Sequence, residues 1–215
     1  MAHNGVLFLD ELPEFNKNTL EVLRGPLEDG IISISRVNAS LTYPCNFMFV
    51  ASMNPCPCGF YGSKEKECAC SPQAIQRYMG KISGPLLDRI DIQIEVTAVK
   101  YQKLDLEEKI ESSENIKERV NKARKIQQCR YKENGIYSNA ELTPKLVSKY
   151  CKLDDESKFV LQNAFEKLGL SARAYGRILK VARTIADLAG EENINVNHIA
   201  EAIQYRSLDK KYWNN

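Results

Sequence analysis

Residues 5–11 read Gly-Val-Leu-Phe-Leu-Asp-Glu, and the rest of the chain is organised around this stretch. The four apolar residues from Val6 to Leu9 show no polar alternation, which predicts a strand buried on both faces, as in the middle of a parallel sheet. Asp10 and Glu11 follow where such a strand ends, and ligands of open α/β sheets usually sit at that edge. Taken alone, the stretch fits two interpretations about equally: a catalytic carboxylate pair, or a strand that ends in a solvated acidic turn.

The composition is that of an ordinary globular protein. The chain has 215 residues, of which 43% are hydrophobic and 27% charged, so there is room for one large domain or two small ones. No apolar run approaches the roughly 20 residues that span a bilayer. The N-terminal residues lack the basic and apolar regions of a signal peptide. We therefore expect a cytoplasmic protein without a membrane partner.

The segments that follow residues 5–11 predict the rest of an α/β fold. A helix is expected from near Glu14, and Pro26 should bend or end it. Residues 31–43 alternate around a polar turn, Arg36-Val37-Asn38, and predict a β-hairpin. The all-apolar run 47–51 predicts a second buried strand.

The second predicted strand leads into the sequence Ser-Met-Asn. The last of these residues, Asn54, places a side-chain amide after the end of the strand. Ser71-Pro72 and Ser83-Gly84 are typical helix starts. Residues 90–96 alternate between apolar and polar side chains and predict a strand with one solvated face.

The second half of the chain predicts helices alone. We expect an α/β part at residues 1–97, a connector at 98–112 and an all-α bundle at 113–215. Helix starts are expected at Ser113, Thr143, Asp154 and Ser171 and near Asn197.

Seven cysteines in a chain without a signal peptide favour a reducing compartment and metal-binding or structural roles over disulfides. Four of them, Cys56, Cys58, Cys68 and Cys70, fall in the loop 56–70 as two Cys-x-Cys pairs. Four thiolates can close a tetrahedral Zn²⁺ site, although Cys-x₂-Cys pairs are commoner there. Structural zinc is the favoured interpretation because so polar a loop has little core of its own. Free thiols and an iron–sulfur cluster stay open as alternatives.

Four longer stretches connect these features to a known family. They read Gly-Val-Leu-Phe-Leu-Asp-Glu-Leu-Pro-Glu-Phe from residue 5, Asn-Pro-Cys-Pro-Cys-Gly from residue 54, Ser-Gly-Pro-Leu-Leu-Asp-Arg-Ile-Asp from residue 83 and Leu-Ser-Ala-Arg-Ala-Tyr-Gly-Arg-Ile-Leu from residue 170. Over almost its whole length the chain resembles the magnesium-chelatase-related AAA+ ATPases of bacteria, in their ComM-like branch. The resemblance implies the C-terminal part of an AAA+ P-loop core with a β-hairpin insertion, followed by a helical lid bundle.

The resemblance also implies roles for three residues at the strand ends. Asp10 and Glu11 match the Walker B element. There Asp10 helps to hold Mg²⁺ through its water shell, and Glu11 orients and deprotonates the water that attacks the γ-phosphate of ATP. Asn54 matches sensor 1, an amide that hydrogen-bonds this water or the γ-phosphate. In this context the catalytic interpretation of the acidic turn is favoured over the solvated one.

Three arginines receive roles by the same resemblance. Arg89 resembles the arginine finger, which acts on nucleotide bound by the neighbouring subunit; a guanidinium is always charged and forms forked hydrogen bonds to phosphate oxygens. Arg173 resembles sensor 2, the lid arginine that senses the γ-phosphate, and Arg177 is the second candidate for that role. From the residues alone, a surface salt bridge is favoured for Arg173 and Arg177, and Arg89 stays undecided.

The 215 residues contain no P-loop. That motif needs Gly, four residues and Gly-Lys-Ser/Thr, whose main-chain N–H groups cradle the phosphates. Gly80-Lys81 fails because Ile75 stands at the first glycine position and Ile82 follows the lysine. We therefore expect the phosphate loop upstream of Met1 in a longer ATPase whose cofactors are ATP and Mg²⁺. The chain alone is expected to bind ATP weakly or not at all, and to be inactive.

Two features bear on a macromolecular substrate. In related AAA+ proteins an insertion at the place of this hairpin projects toward the pore of the ring, where Arg36 could touch a phosphate backbone. The helix predicted after residue 113 is basic and could attract phosphates. The alternatives are that Arg36 is only an exposed arginine in a turn, and that the basic helix only presents a solvated face.

The resemblance implies a homo-oligomeric ring, expected to be a hexamer, that couples ATP hydrolysis to remodelling or translocating a macromolecule, DNA in the first place. Two other functions stay open. One is a chelatase-type ATPase that serves metal insertion. The other is a non-enzymatic oligomerisation or zinc-stabilised interaction module.

Overall fold

The computed structural model describes four stretches of the chain, residues 2–36, 39–63, 66–96 and 111–206. They form two compact units, of which the first ends at Ile90 and the second begins at Asp91. The connector predicted at 98–112 lies almost entirely outside the described residues.

The first unit is an α/β structure. Its strands are β1 (Val6–Leu9), β2 (Ile31–Arg36), β3 (Ala39–Pro44) and β4 (Met48–Ala51). Its helices are α1 (Lys17–Val22), α2 (Arg24–Asp29), α3 (Pro72–Met79) and α4 (Gly84–Leu87), with a 3₁₀ turn at Leu12–Glu14.

Strands β1 and β4 form a two-stranded parallel sheet in which Leu9 lies opposite Ala51. Leu9, Phe49 and Ala51 pack against the core of the unit. The prediction that β1 is buried on both faces is wrong, because Val6 and Phe8 are 59% and 56% exposed. Parallel strands are buried on both faces where other layers cover the sheet on both sides, and among the described residues only one face is covered.

Strands β2 and β3 form the predicted antiparallel hairpin, whose turn residues Val37 and Asn38 lie outside the described residues. One face carries hydroxyl pairs, with Ser33 Oγ and Thr42 Oγ1 3.0 Å apart. The opposite face is apolar and exposed, and carries Ile32, Ile34, Leu41 and Tyr43.

The helix predicted from near Glu14 begins at Lys17, where the side chain of Asn16 accepts a hydrogen bond from the second helical residue. It divides into two, since α1 ends at Val22 and α2 follows after one residue. Pro26 has no N–H, and its ring would clash with the carbonyl of Val22 in a continuous helix. The prediction that Pro26 interrupts the helix is confirmed.

The second unit is a helical bundle, as predicted. Asp154 and Ser171 cap their helices as expected, whereas Ser112 rather than Ser113 caps the first one, and Asn195 caps the last. No helix in the described part of the chain is long and apolar enough to cross a membrane. The helices are α5 (Ser113–Tyr131), α6 (Pro144–Tyr150), α7 (Asp155–Leu168), α8 (Ala172–Ala189) and α9 (Val196–Gln204).

A charged cluster lies inside the bundle. Asp187 on α8 is 1% exposed and accepts hydrogen bonds from Arg130 Nη1 at 2.9 Å and from Arg183 Nε at 3.1 Å. The other guanidinium nitrogens of Arg183 donate to the carbonyls of Glu191 and Glu192, at 2.6 and 2.7 Å. These contacts tie α5 to the C-terminal end of α8.

The strand predicted at 90–96 is absent, although the structure describes all of these residues. Ile92 and Ile94 are 48% and 66% exposed instead of lining a buried face. The main-chain N–H of Gln93 donates to the carbonyl of Tyr205 at 2.9 Å, at the end of α9. Alternation alone does not make a strand where no neighbouring strand supplies a ladder.

Candidate active site and cysteine cluster

The ends of β1 and β4 bring polar residues to one edge of the sheet. Because the strands are parallel and Leu9 lies opposite Ala51, Asp10 and Ser52 emerge side by side. The N–H of Ser52 donates to the carbonyl of Leu9 at 3.0 Å, and the N–H of Leu12 donates to the carbonyl of Ser52 at 2.9 Å. The turn after β1 is thereby tied to the turn after β4.

The carboxylate of Asp10 is oriented by two donors. Its Oδ1 accepts hydrogen bonds from the main-chain N–H of Glu11, at 3.0 Å, and from the hydroxyl of Ser52. The residue is exposed. An oriented, accessible carboxylate suits the outer shell of a hydrated Mg²⁺ ion.

Glu11 occupies a strained backbone position. Its φ of +51° lies in the left-handed region, which a non-glycine residue seldom adopts and which concentrates at functional sites. The carbonyl of Glu11 accepts a hydrogen bond from the N–H of Glu14 at 2.8 Å, which closes the turn. The side chain of Glu11 is exposed, so a water molecule can reach its carboxylate.

Asn54 lies beyond the end of β4 and is exposed. Two parts of the chain flank it. A Cβ atom placed on Gly59, whose φ is +82°, would lie 4.0 Å from Asn54 Oδ1. On the other side, Tyr78 of α3 is 7% exposed, and the main chain of Asn54 lowers the pKa of its phenol.

Tyr78 also responds to the carboxylates of the site. Burial raises the pKa of Tyr78 above its usual value, and the charges of Glu14 and, more weakly, Glu11 raise it further, while the main chain of Asn54 lowers it. The phenol is therefore protonated at neutral pH.

Sequence reasoning did not find Ser52 or Tyr78. Ser52 had a usable signal, since it directly follows the second strand, opposite Asp10. Tyr78 belonged to an apolar stripe on α3, and nothing in the pattern distinguishes it from a tyrosine that only packs.

Arg89, at the end of α4, is 8% exposed. Its Nη2 forms an ion pair with Glu28, and its Nη1 donates to the carbonyl of Pro85 at 2.6 Å. The surface salt bridge considered from the sequence is therefore an ion pair between a buried guanidinium and a partly exposed carboxylate. The arginine-finger role stays a prediction, and it requires Arg89 to leave Glu28.

The two predicted lid arginines lie on α8 of the second unit. Arg177 forms an ion pair with Asp91 of the same unit, while Arg173, one turn earlier, is exposed. The ion pair agrees with the salt-bridge interpretation of Arg177. The sensor 2 role of either residue stays a prediction.

The four cysteines of the loop 56–70 converge. Their sulfur atoms all lie within 4.8 Å of one another. Cys56 and Cys58 are 3.4 Å apart, Cys56 and Cys68 3.7 Å, and Cys58 and Cys68 3.6 Å. In a tetrahedral zinc site with Zn–S bonds of about 2.3 Å, the sulfurs lie roughly 3.8 Å apart. The donor atoms and their spacing, including those of Cys70, fit a tetrahedral metal site.

Electrostatics distinguish the thiols of the cluster. A main-chain hydrogen bond from Phe60 is the largest cause that lowers the pKa of Cys58 to about 6. A main-chain hydrogen bond from Cys70 lowers the pKa of Cys68, but burial and the neighbouring thiols outweigh it and raise this pKa to about 12. The thiol of Cys58 therefore ionises more easily than that of Cys68, and a bound cation would favour the thiolate form of both.

The structure describes only some of the residues that are predicted to contact nucleic acid. Arg36 is the last residue of β2, but its side chain lies outside the described residues. Residues 113–122, the first half of α5, are all exposed. There Arg119 forms a forked ion pair with Glu111, at 2.7 and 3.2 Å. A nucleic-acid role for either feature stays a prediction.

Comparison with known proteins assigns the chain to a family. The family described as "Magnesium chelatase, subunit ChlI" matches residues 1–104, and "Magnesium chelatase, subunit ChlI C-terminal" matches residues 110–206. The chain belongs to the magnesium-chelatase-related family, as the sequence motifs indicated.

Within this family the chain is similar to ComM-like proteins. It is 48% identical to the competence protein ComM of Haemophilus influenzae over 209 residues, which are 97% of the chain and 40% of that protein. It is 44% identical to the uncharacterized protein YifB of Escherichia coli over 211 residues, 98% of the chain and 40% of YifB. The chain therefore spans about 40% of the length of these relatives.

Proposed function

We propose that the chain is the C-terminal part of an AAA+ ATPase that couples ATP hydrolysis to remodelling or translocating a macromolecule, DNA in the first place. The observation that carries this proposal is the sheet edge where Asp10 and Glu11 follow β1 beside Ser52, with Asn54 two residues after Ser52 in the chain. Asp10, oriented by Ser52, would hold hydrated Mg²⁺. Glu11 would take the proton of the attacking water, and Asn54 would orient that water or the γ-phosphate.

The phosphates of ATP need groups beyond these residues. No Gly-x₄-Gly-Lys-Ser/Thr sequence occurs in the 215 residues. We therefore propose that a P-loop elsewhere in a longer protein completes the site. Arg89 would reach the nucleotide of a neighbouring subunit by exchanging Glu28 for a phosphate, and Arg173 or Arg177 would contact the γ-phosphate from the lid.

The test compares two proteins, the 215-residue chain and the full-length protein that contains it. We expect MgATP hydrolysis by the full-length protein and none by the chain. Calorimetry should show that the chain alone binds MgATP more weakly than micromolar. Hydrolysis or micromolar binding by the chain would contradict the proposal that a P-loop elsewhere completes the site. A full-length protein without ATPase activity would contradict the proposed function.

DNA is the proposed substrate because α5 is basic and its first half is exposed. One relative is named a competence protein, and that name is compatible with DNA as the substrate. A second candidate, ATP-driven metal insertion, takes its support from the description of the matching family. Stimulation of hydrolysis by DNA, weakening as salt rises, favours the first candidate. Stimulation by a porphyrin and partner subunits alone favours the second.

We also propose a homo-oligomeric ring of six subunits, because an arginine finger acts on nucleotide bound by the next subunit. Sedimentation of the full-length protein with a non-hydrolysable ATP analogue should show the hexamer. A monomer under these conditions would remove the reason to treat Arg89 as a finger.

For the cysteine cluster we propose structural Zn²⁺ held by Cys56, Cys58, Cys68 and Cys70. The support is the convergence of their four sulfurs within 4.8 Å and the preference of Zn²⁺ for four thiolates. Metal analysis of reduced protein should find about one zinc per chain, and less than about half would contradict the proposal. Absorption typical of an iron–sulfur cluster would replace zinc with that cofactor. Cys70→Ser should lose the metal, while Cys129→Ser, at an exposed cysteine outside the cluster, should keep it.

A further inference from the structure

The segment 91–93 is fastened to two helices of the second unit. Asp91 forms an ion pair with Arg177 of α8. Two residues further on, the main-chain N–H of Gln93 donates to the carbonyl of Tyr205 at 2.9 Å, at the C-terminal end of α9. Both helices contribute residues to the core of the bundle. The segment therefore has one anchor on each of two helices that belong to the same core.

The N-terminal half of α8 carries cations and no acid. Arg173, Arg177 and Lys180 follow one another at spacings of four and three residues and so lie along one face of the helix. The first acidic residue of α8 is Asp187. Positive charge near the N-terminus of a helix is unfavourable, because the helix dipole is positive there. Asp91 supplies the missing negative charge to this face from outside the helix.

Arg177 is the cation of this face that pairs with Asp91. The amine of Lys180 instead donates to the carbonyl of Ala140 at 2.9 Å. Burial lowers the pKa of Lys180, the charge of Asp91 raises it, and the charge of Arg177 lowers it. Asp91 therefore offsets the repulsion between two neighbouring cations while its ion pair is made with Arg177.

We propose that Asp91 is a positioning residue that fastens the segment 91–93 to α8 through Arg177, and that Arg177 serves this contact and leaves the γ-phosphate to Arg173. The second half of the proposal rests on the proposed function, in which one of the two lid arginines contacts the γ-phosphate. Arg173 lies one turn earlier on α8 and is exposed.

Hydrogen exchange at the N–H of Gln93, measured by NMR in the 215-residue chain, tests the anchor. Asp91→Asn and Arg177→Gln each remove one charge of the pair. Each should speed this exchange roughly two- to fivefold, which is the range that a partly exposed ion pair contributes to a local opening. The two substitutions together should add little, because they break one contact. The matched control, Asp155→Asn, breaks an exposed ion pair elsewhere in the same unit and should change nothing at Gln93.

Three results of this experiment would overturn the anchor. The first is unchanged exchange at Gln93 in both single variants. The second is an additive effect of the two substitutions, because it would show that they act on separate contacts. The third is equal acceleration at the N–H of the core residue Ala182, because the whole bundle would then have loosened.

Reversing the pair tests whether charge attraction holds the segment. Arg177→Asp alone brings two carboxylates together and should speed exchange at Gln93 more than Arg177→Gln does. Arg177→Asp combined with Asp91→Arg restores opposite charges and should return the exchange rate to within about twofold of the parent. A reversed pair that does not restore slow exchange would overturn the anchor.

Activity of the full-length protein distinguishes an anchor from a phosphate ligand. Arg177→Asp alone should lower kcat several-fold, and adding Asp91→Arg should recover most of this loss, because an anchor needs only opposite charges. A carboxylate at position 177 cannot contact the γ-phosphate. A reversed pair that restores slow exchange but not hydrolysis would therefore overturn the assignment of the γ-phosphate to Arg173 alone.

The two parts of the proposal fail separately. A full-length parent protein without ATPase activity would refute the proposed function and, with it, the assignment of Arg173. Exchange at Gln93 in the 215-residue chain would still decide whether Asp91 and Arg177 anchor the segment.

Discussion

The hydroxyl of Ser52 donates a hydrogen bond to Oδ1 of Asp10, which lies 42 residues earlier in the chain, and so joins the ends of two parallel strands. The same oxygen accepts the N–H of Glu11 at 3.0 Å. Hydrogen bonds to a charged acceptor contribute about 1.5–3 kcal/mol each. The orientation of Asp10 therefore depends on a residue of the neighbouring strand as well as on its own turn.

Ser52→Ala should weaken the use of Mg²⁺ by the full-length ATPase. Loss of an outer partner of a metal-binding carboxylate typically costs roughly 10–100-fold in metal affinity or activity. The measurement is the Mg²⁺ concentration that gives half-maximal hydrolysis at saturating ATP. Ser35→Ala, which removes a hydroxyl from the exposed hairpin, is the control. An unchanged Mg²⁺ requirement in Ser52→Ala would mean that the N–H of Glu11 alone orients Asp10.

Glu11→Gln should separate nucleotide binding from hydrolysis. An amide of the same size cannot accept the proton of the attacking water, and a general base contributes roughly 10²–10⁴-fold to the rate. We expect kcat of the full-length protein to fall by that factor while a fluorescent ATP analogue still binds. Glu14→Gln, at an exposed carboxylate of the same turn, should stay close to the parent rate. Equal losses in both variants would show that the turn matters for its charge and not for a base.

Arg89 and Glu28 should depend on each other for stability. Removing one partner of a fully buried pair costs about 3–5 kcal/mol. The side chain of Glu28 is 40% exposed and that of Arg89 is 6% exposed, so we expect a smaller loss, about 1–2 kcal/mol, for Arg89→Ala in urea unfolding of the chain. Glu28→Gln should also destabilise the chain, because it leaves the buried guanidinium without its charged partner.

The same two variants test the finger role when full-length protein is assayed. If Arg89 also acts in trans, Arg89→Ala should abolish hydrolysis whereas Glu28→Gln should retain it. If the loss of activity follows the loss of stability in both variants, Arg89 stabilises the fold and does not act as a finger.

Features that depend on neighbours in the sequence were predictable. The caps at Asp154 and Ser171 are confirmed because a hydroxyl or carboxylate at that position satisfies N–H groups a few residues away. The interruption at Pro26 and the hairpin are confirmed for similar reasons, since ring geometry and strand alternation are local properties.

Features that depend on distant parts of the chain were not predictable. The apolar run of β1 indicated a strand correctly, but burial of Val6 and Phe8 requires a second layer that no local pattern reports. Residues 90–96 have the alternation of a strand, but no strand pairs with them in the part of the chain that the structure describes. Within the site, the sequence and the family resemblance predicted roles for the carboxylates, Asn54 and the cysteines; the convergence of the four sulfurs is observed, and the roles stay predictions. Ser52 and Tyr78 acquire their contacts only when strands and helix come together.

We expect Asp187→Asn to destabilise the helical bundle more than the loss of an exposed charge would. Asp187 is 1% exposed and is the shared acceptor of Arg130 and Arg183. A neutral amide there would leave two desolvated guanidiniums without a counter-charge, which costs about 3–5 kcal/mol. Urea unfolding followed by helical circular dichroism measures this loss.

The matched control is Asp155→Asn, which removes an exposed carboxylate whose ion pair with Lys158 is also exposed. Such pairs contribute roughly 0–1 kcal/mol, so this variant should stay close to the parent. If Asp187→Asn were no worse than Asp155→Asn, the carbonyls of Glu191 and Glu192 would be sufficient acceptors for Arg183. The buried carboxylate would then serve to fix the angle between α5 and α8, and its loss should appear as altered packing in NMR spectra at unchanged stability.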